Sequence, residues 1–272
     1  DARDSYIGWV SSTGDTFRNY FAGNGDGAIF LNTNETEVAA NYFGITADAS
    51  STSSALAPGQ EAILVTRPSS FGNNDIGFQS GESRSSGKGN VFGGYDYGIR
   101  AGTGNTADER ADNENIRGNY FGVTPSGNSV PLGKAGVYTM FADSLSVREN
   151  VFGNVGSGGA EDAAISIPQE RIGEHSIVEN LIGVLDNGST QPIDGNGIYM
   201  DQLGTSNSRI EDNVIGNATQ NGILITNVTD EFRGPIIQRN SIGSTPPGDD
   251  IGNGDAGVRF VDAVSGYVGY QF

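Results

Sequence analysis

Cysteine is absent from this chain of 272 residues, histidine and tryptophan each occur once, and methionine occurs twice. Without cysteine there is neither a disulfide framework nor a thiolate zinc site, and His175 alone supplies no histidine-rich metal centre and no catalytic histidine pair. Basic side chains are also scarce, 15 against 33 acidic ones, for a formal net charge of -18. That balance argues against a nucleic-acid partner, which needs a basic footprint, and against an anionic membrane surface. No apolar run approaches the roughly 18 residues of a membrane span, so no membrane insertion is expected. The start, Asp1-Ala2-Arg3-Asp4, lacks the basic and apolar regions of a secretory signal. Helix signals are poor throughout, because Gly, Asn, Ser and Thr interrupt each stretch before two turns of 3.6-residue pattern accumulate.

What is abundant is glycine, 42 residues or about 15% against roughly 7% in ordinary proteins, and it falls in two alternating repeat units. The first is Asn-x-Phe/Ile-Gly: Asn41 to Gly44, Asn90 to Gly93, Asn119 to Gly122, Asn150 to Gly153, Asn180 to Gly183, Asn213 to Gly216 and Asn240 to Gly243, with a degenerate copy at Asn19 to Ala22. Three residues before the Asn stands an aliphatic residue, Val38, Ile116, Val147, Ile177, Ile210 or Ile237, whereas Gly87 breaks the pattern at one copy. The second unit is a small residue followed by Ile or Val, centred on Ile29, Ile63, Ile99, Val137, Ile165, Ile198, Ile223 and Val258. Successive centres lie 34, 36, 38, 28, 33, 25 and 35 residues apart. A loose length with a fixed motif order means a constant cross-section bearing loops of variable size.

Short β-branched and aromatic segments at such a period predict a single all-β domain over residues 1-272, a right-handed parallel β-helix of about eight coils. At roughly 4.8 Å per coil the rod would be about 40 Å long. The eight second-unit centres point inward as one stack, with Leu31, Val65, Ile167, Met200, Ile225 and Phe260 as another. The repeated Asn belongs at a corner, where stacked amides bond along the axis, and the Gly after it permits a bend through positive φ or close approach of coils. From each Asn to the next small residue the counts are 9, 21, 8, 17, 14, 17, 9 and 17, so long and short loops mostly alternate. This implies a two-coil super-repeat. The residues directly after each Asn (Tyr20, Tyr42, Val91, Tyr120, Val151, Leu181 and Val214) make a second apolar stripe that the long loops are expected to cover.

The Asn-Tyr-Phe-Gly and Gly-Ile units, with Tyr6-Ile7-Gly8 and Asp75-Ile76-Gly77 before them, resemble the right-handed β-helix repeats of the pectin-lyase-like superfamily. The closest flavour is that of Gly- and Asn-rich repeats in large secreted or surface microbial proteins. The resemblance covers essentially the whole chain and implies fold; that fold carries polysaccharide lyases, hydrolases, epimerases and non-catalytic adhesins alike. In its catalytic members the substrate generally lies in a groove along one long sheet.

The outward row of the second unit reads Phe30, Leu64, Arg100, Tyr138, Ser166, Tyr199, Leu224 and Arg259, with no carboxylate to hold calcium or to act as a glycosidase pair. Phe30, Arg100, Tyr138, Tyr199 and Arg259 are candidates for ligand binding, by stacking on sugar rings or packing on protein. Two residues before the small residue, Asp96, Lys134 and Asp162 stack on consecutive coils. These three read first as a solvated charge ladder, since opposite charges on adjacent coils attract without need of a function, and alternatively as base and acid; flanking carboxylates should raise the lysine pKa, the wrong direction for a base. Glu149, Glu179 and Asp212 precede the Asn of three consecutive coils, with Arg239 in the fourth, and are candidates for calcium unless the arginine compensates them. No cofactor is required by the sequence. His175 lacks any nucleophile motif and is read as a solvent-facing loop residue.

The expected function is a non-enzymatic extracellular or cell-surface β-helix, structural or adhesive, whose partner is itself or a cell-surface polysaccharide. The mid-pattern start at Asp1 and the incipient coil at Gly266 to Tyr270 underlie the expectation of end-to-end assembly or of a segment from a longer solenoid. The alternative is a lyase or epimerase acting on an acidic glycan.

Overall fold

The structure, a computed structural model, describes residues 5–269 apart from 12–13, 25–26, 53–58, 67–72, 80–81, 83–86, 105–108, 143, 170–173, 202–207, 230–233 and 247. Asp1 and Tyr270, used above for the ends, lie outside the described residues. The described residues form an all-β parallel β-helix without helices, built on three parallel sheets of nine, eight and eight strands. Sheet 1 comprises Ser5–Ile7, Thr36–Val38, Asp75–Gly77, Asn115–Arg117, Ser146–Arg148, Ser176–Val178, Arg209–Glu211, Ile236–Gln238 and Tyr267–Val268. Sheet 2 has two-residue strands from Tyr20–Phe21 to Ser241–Ile242, and sheet 3 runs Ile29–Leu31, Glu61–Val65, Tyr97–Ala101, Ala135–Met140, Ala163–Gln169, Asn196–Asp201, Ile223–Thr226 and Val258–Val261. Each coil visits the sheets in that order.

The corner between sheets 1 and 2 carries the repeated Asn. From Asn19 to Asn240 each amide Nδ2 donates to the Oδ1 of the next coil's Asn at 2.9 to 3.2 Å. Asn150 illustrates the closure of the arrangement. Its Oδ1 accepts from the backbone N–H of Asn119 at 2.9 Å and from the Asn119 amide at 3.1 Å, while its own amide donates to Asn180 Oδ1 at 3.1 Å and to the Ile116 carbonyl at 2.9 Å. All four amide valences are used in a site with no solvent exposure, as a buried polar group requires. Only a side chain with two donors and one doubly accepting oxygen at this reach can do so, which selects Asn.

Inside, sheet 1 contributes Val38, Ile76, Ile116, Val147, Ile177, Ile210 and Ile237, sheet 3 contributes the second-unit centres, and sheet 2 contributes a column of rings. Phe21, Phe43, Phe92, Phe121 and Phe152 stack at 4.7 to 4.9 Å with interplanar angles of 6° to 7°. The column explains the small residue of the second unit: a Cβ on Gly136 would meet the Phe152 ring at 2.6 Å. The break at Gly87 is an insertion, since Ile76 occupies the aliphatic position of that coil, paired with Val38 and Ile116.

The long loops alternate as expected, and they lie back over sheet 2. Each closes a small hairpin, bridged Ile45 to Thr52, Val123 to Ser129, Val184 to Thr190 and Ser244 to Asp250. Ile45 and Val130 pack with Tyr42 and Val91, while Val123 and Leu185 pack with Val151, so the second apolar stripe is covered over much of its length by the chain's own loops. The repeat Gly takes turns in two roles. Gly122 enters a loop with φ of +71°, whereas Gly153 on the next coil has ordinary φ and is required because a Cβ there would press on Gln191 at 2.6 Å.

His175 corrects the sequence expectation: it is 1% exposed, at the turn into sheet 1, rather than solvent-facing. Its Nδ1 accepts from the Leu145 N–H at 3.2 Å, and its own N–H donates to Ser208 Oγ at 3.1 Å. Asn74 and Glu114 take the same role three and two coils earlier, Asn74 N–H donating to Glu114 Oε2 at 3.1 Å. Desolvation lowers the His175 pKa to about 4.

Two outcomes follow from this arrangement. Asn150→Ala strands several buried donors and a carbonyl at once, and should cost about 3 kcal/mol or more in urea unfolding, against a smaller loss for Asn240→Ala at the half-buried end of the ladder. His175 stays neutral in the fold below its ordinary value of 6.5, so the unfolded chain alone takes up its proton between that pH and about 4. Stability should therefore fall as pH drops through this window, by up to ~3 kcal/mol, and a pH series on His175→Gln should lose that component of the slope.

Candidate functional site

With sheet 2 covered, sheet 3 offers the open face. Its outward row is in register as expected: Phe30 beside Leu64, then Arg100, Tyr138, Ser166, Tyr199, Leu224 and Arg259. The five candidate ligand contacts do not form one cluster. Phe30 is 58% exposed near one end and Arg259 is exposed near the other, whereas Tyr199 is only 8% exposed. Arg100 and Tyr138 are adjacent and half-buried, and of the five only Tyr138 lines the cavity on this face.

That cavity is an open cleft of about 340 Å3 lined by Tyr97, Lys134, Ala135, Tyr138, Gly159, Ala160, Glu161 and Asp162. It spans three rungs, through the pairings of Tyr97 with Ala135 and of Ala135 with Ala163. The Tyr97 and Tyr138 rings sit side by side, centroids 4.8 Å apart and tilted by 53°. Arg100 lies 5.9 Å and 5.8 Å from their centroids, and Lys134 Nζ is 5.5 Å from that of Tyr97. Both cations have acid partners, Arg100 with Glu61 at 3.9 Å and Lys134 with Asp96 at 3.7 Å.

The far wall is a glycine-rich loop held in place from several sides. The Asp162 carboxylate accepts from Ser157 N–H and Oγ at 2.9 Å and from Gly159 N–H at 3.0 Å. Asn196 donates to the Ala160 carbonyl at 3.1 Å, and Ser166 to that of Glu161 at 2.9 Å. Asp162 thus staples the wall, and Asp96 likewise accepts from Gly59 N–H. Lys134 does stand between them on the sheet, its N–H donating to Asp96 O and its carbonyl accepting from Ala163.

Protonation decides what this group of side chains can do. The Lys134 pKa is raised above 10.5, by the oxygen of Tyr97 foremost, against some desolvation, and then by Asp96 and Asp162. Burial above all pushes Tyr138 up to about 12, and burial also raises Tyr199. In the cleft the Lys134 ammonium and the Tyr138 phenol therefore hold their protons at neutral pH and act as donors, not as bases. Sequence reasoning reached Lys134, Tyr138 and Asp162 but missed Tyr97 and Glu161; the clustering of Tyr95, Asp96 and Tyr97 just before Gly98 was the available signal for the first.

The acidic row is arranged differently. Glu149, Glu179 and Asp212 occupy the corner before each ladder Asn with φ of 54°, 59° and 56°, the position that Gly118 fills at 68° and Ala40 at 60°. Each has an arginine: Glu149 pairs with Arg117, Glu179 with Arg148 at 3.1 Å, and Asp212 with Arg239 at 2.9 Å through both oxygens. The Arg239 guanidinium holds the Asp212 carboxyl below its usual range. Among the described residues no three side chains of metal-ligating type come together, so the row is compensated by arginines along the rod.

Compared with family models, curated proteins and solved structures, the chain has no match.

The corner conformation yields a discriminating substitution. Glu179→Gly should change stability by less than about 0.5 kcal/mol, relief of left-handed strain offsetting an exposed ion pair, whereas Glu179→Val should cost ~1–2 kcal/mol. Calcium added to either variant or to the parent should leave the thermal midpoint unchanged.

Proposed function

We propose that the protein is a non-enzymatic, extracellular or cell-surface β-helix, a structural and adhesive scaffold that binds carbohydrate in the sheet 3 cleft. The observation that carries this reading is the pair of half-buried tyrosines, Tyr97 and Tyr138, side by side in an open cleft flanked by Lys134 and Glu161. Aromatic faces pack against the C–H faces of sugar rings, and an ammionium donor beside a carboxylate acceptor meets their hydroxyls. A rigid wall supports binding by limiting the entropy lost on contact. Against turnover stand the raised pKa of Lys134 and the engagement of Asp162 with its own loop. The likeness of the repeats to pectin-lyase-like proteins is compatible with this proposal, since one fold serves enzymes and scaffolds alike. The rung spacing of about 4.8 Å suits a polymer running along the rod.

Affinity electrophoresis in gels containing polysaccharide provides the test. Tyr138→Ala should weaken retardation about tenfold while leaving the far-ultraviolet circular dichroism spectrum intact. Retardation equal to that of the parent, or release of unsaturated sugars that Lys134→Ala abolishes, would sink the proposal.

A further inference from the structure

We infer that the glycan taken by this cleft is uncharged, a neutral hexose polymer or its terminus rather than a polyuronate; the inference rests on the carbohydrate-binding reading above. Local charge makes the selection. Around the tyrosine pair stand two cations, Arg100 and Lys134, and four carboxylates, Glu61, Asp96, Glu161 and Asp162. Each cation already has a carboxylate within 4.0 Å, Glu61 for Arg100 at 3.9 Å and Asp96 for Lys134 at 3.7 Å. Neither offers a positive charge that an incoming anion would not have to share. Glu161 is exposed on the lining, and among the described residues no cation pairs with it. A uronate carboxylate, an acceptor without a donor, would meet that like charge in a partly desolvated cleft on a rod whose net charge is -18.

A sugar hydroxyl fits the same groups without that conflict, because it both donates and accepts. One hydroxyl can accept from Lys134 Nζ while its neighbour donates to Glu161, and the ring lies on Tyr97 or Tyr138. The cleft has the size for a short stretch of such a chain. Its volume of about 340 Å3 sits at the small end of ligand sites, roughly 300–1,000 Å3, and its three rungs span about 10 Å.

The experiment measures retention of the full chain by neutral polymers (mannan, galactan, soluble glucans) and by polygalacturonate and alginate, each at low and high salt. The expected result is binding to at least one neutral polymer that is insensitive to salt, about tenfold tighter than to either polyuronate, and weakened by Tyr138→Ala. Glu161→Lys, a change on an exposed loop, should raise polyuronate binding about tenfold and make it salt-sensitive. Parent protein that prefers a polyuronate, with binding lost in high salt and on Lys134→Met but still dependent on Tyr138, would overturn the neutral ligand while leaving the carbohydrate site standing. Retention by no polymer, or retention indifferent to Tyr138→Ala, would overturn both.

Discussion

The buried amide ladder is the constraint from which the rest of the molecule follows. A coil of two- to seven-residue strands has no partner strand within itself to hold its place, and it becomes stable only when every coil lies on the next in one register. The Asn side chains impose that register, because each amide reaches both the neighbouring amide and a backbone carbonyl one coil back. The same spacing lets the phenylalanine rings stack at 4.7 to 4.9 Å. Polar and aromatic columns thus reinforce one repeat, and loops vary freely in length because none of them sets the rung spacing.

Loop alternation then determines which face is open. Hairpins on every second coil lie over sheet 2, bury Val91 and Val151, and remove that face from contact with ligands. Sheet 1 carries its outer charge in ion pairs from Arg117, Arg148 and Arg239. Sheet 3 is left with the aromatic residues, and the stapled loop before Ala163 turns one part of it into a cleft.

Much of this was legible in the residues themselves. The Asn and Ile repeats located the corner and the core because each position has a single physical solution, and the loop counts located the hairpins. The other polar corner was hidden, since Asn74, Glu114, His175 and Ser208 serve it with different side chains and leave no repeating letter. For the same reason His175 looked like a loop residue. The cleft was half legible: Lys134, Tyr138 and Asp162 follow from the register, but the carboxylate of Asp162 turns toward Ser157 and Gly159 because of loop geometry that no spacing encodes. In the acidic row the stacking of Glu149, Glu179 and Asp212 and the compensating Arg239 were legible, whereas the pairings of Glu149 with Arg117 and of Glu179 with Arg148 across coils were not.

The measurement that bears most directly on the account is a nuclear magnetic resonance titration of the assigned chain with a neutral oligosaccharide. The account places the perturbed amides at 96–100, 134–138 and 157–162, on three consecutive rungs of sheet 3. Perturbations confined to sheet 1, to the hairpins over sheet 2, or to the ends of the rod would contradict it.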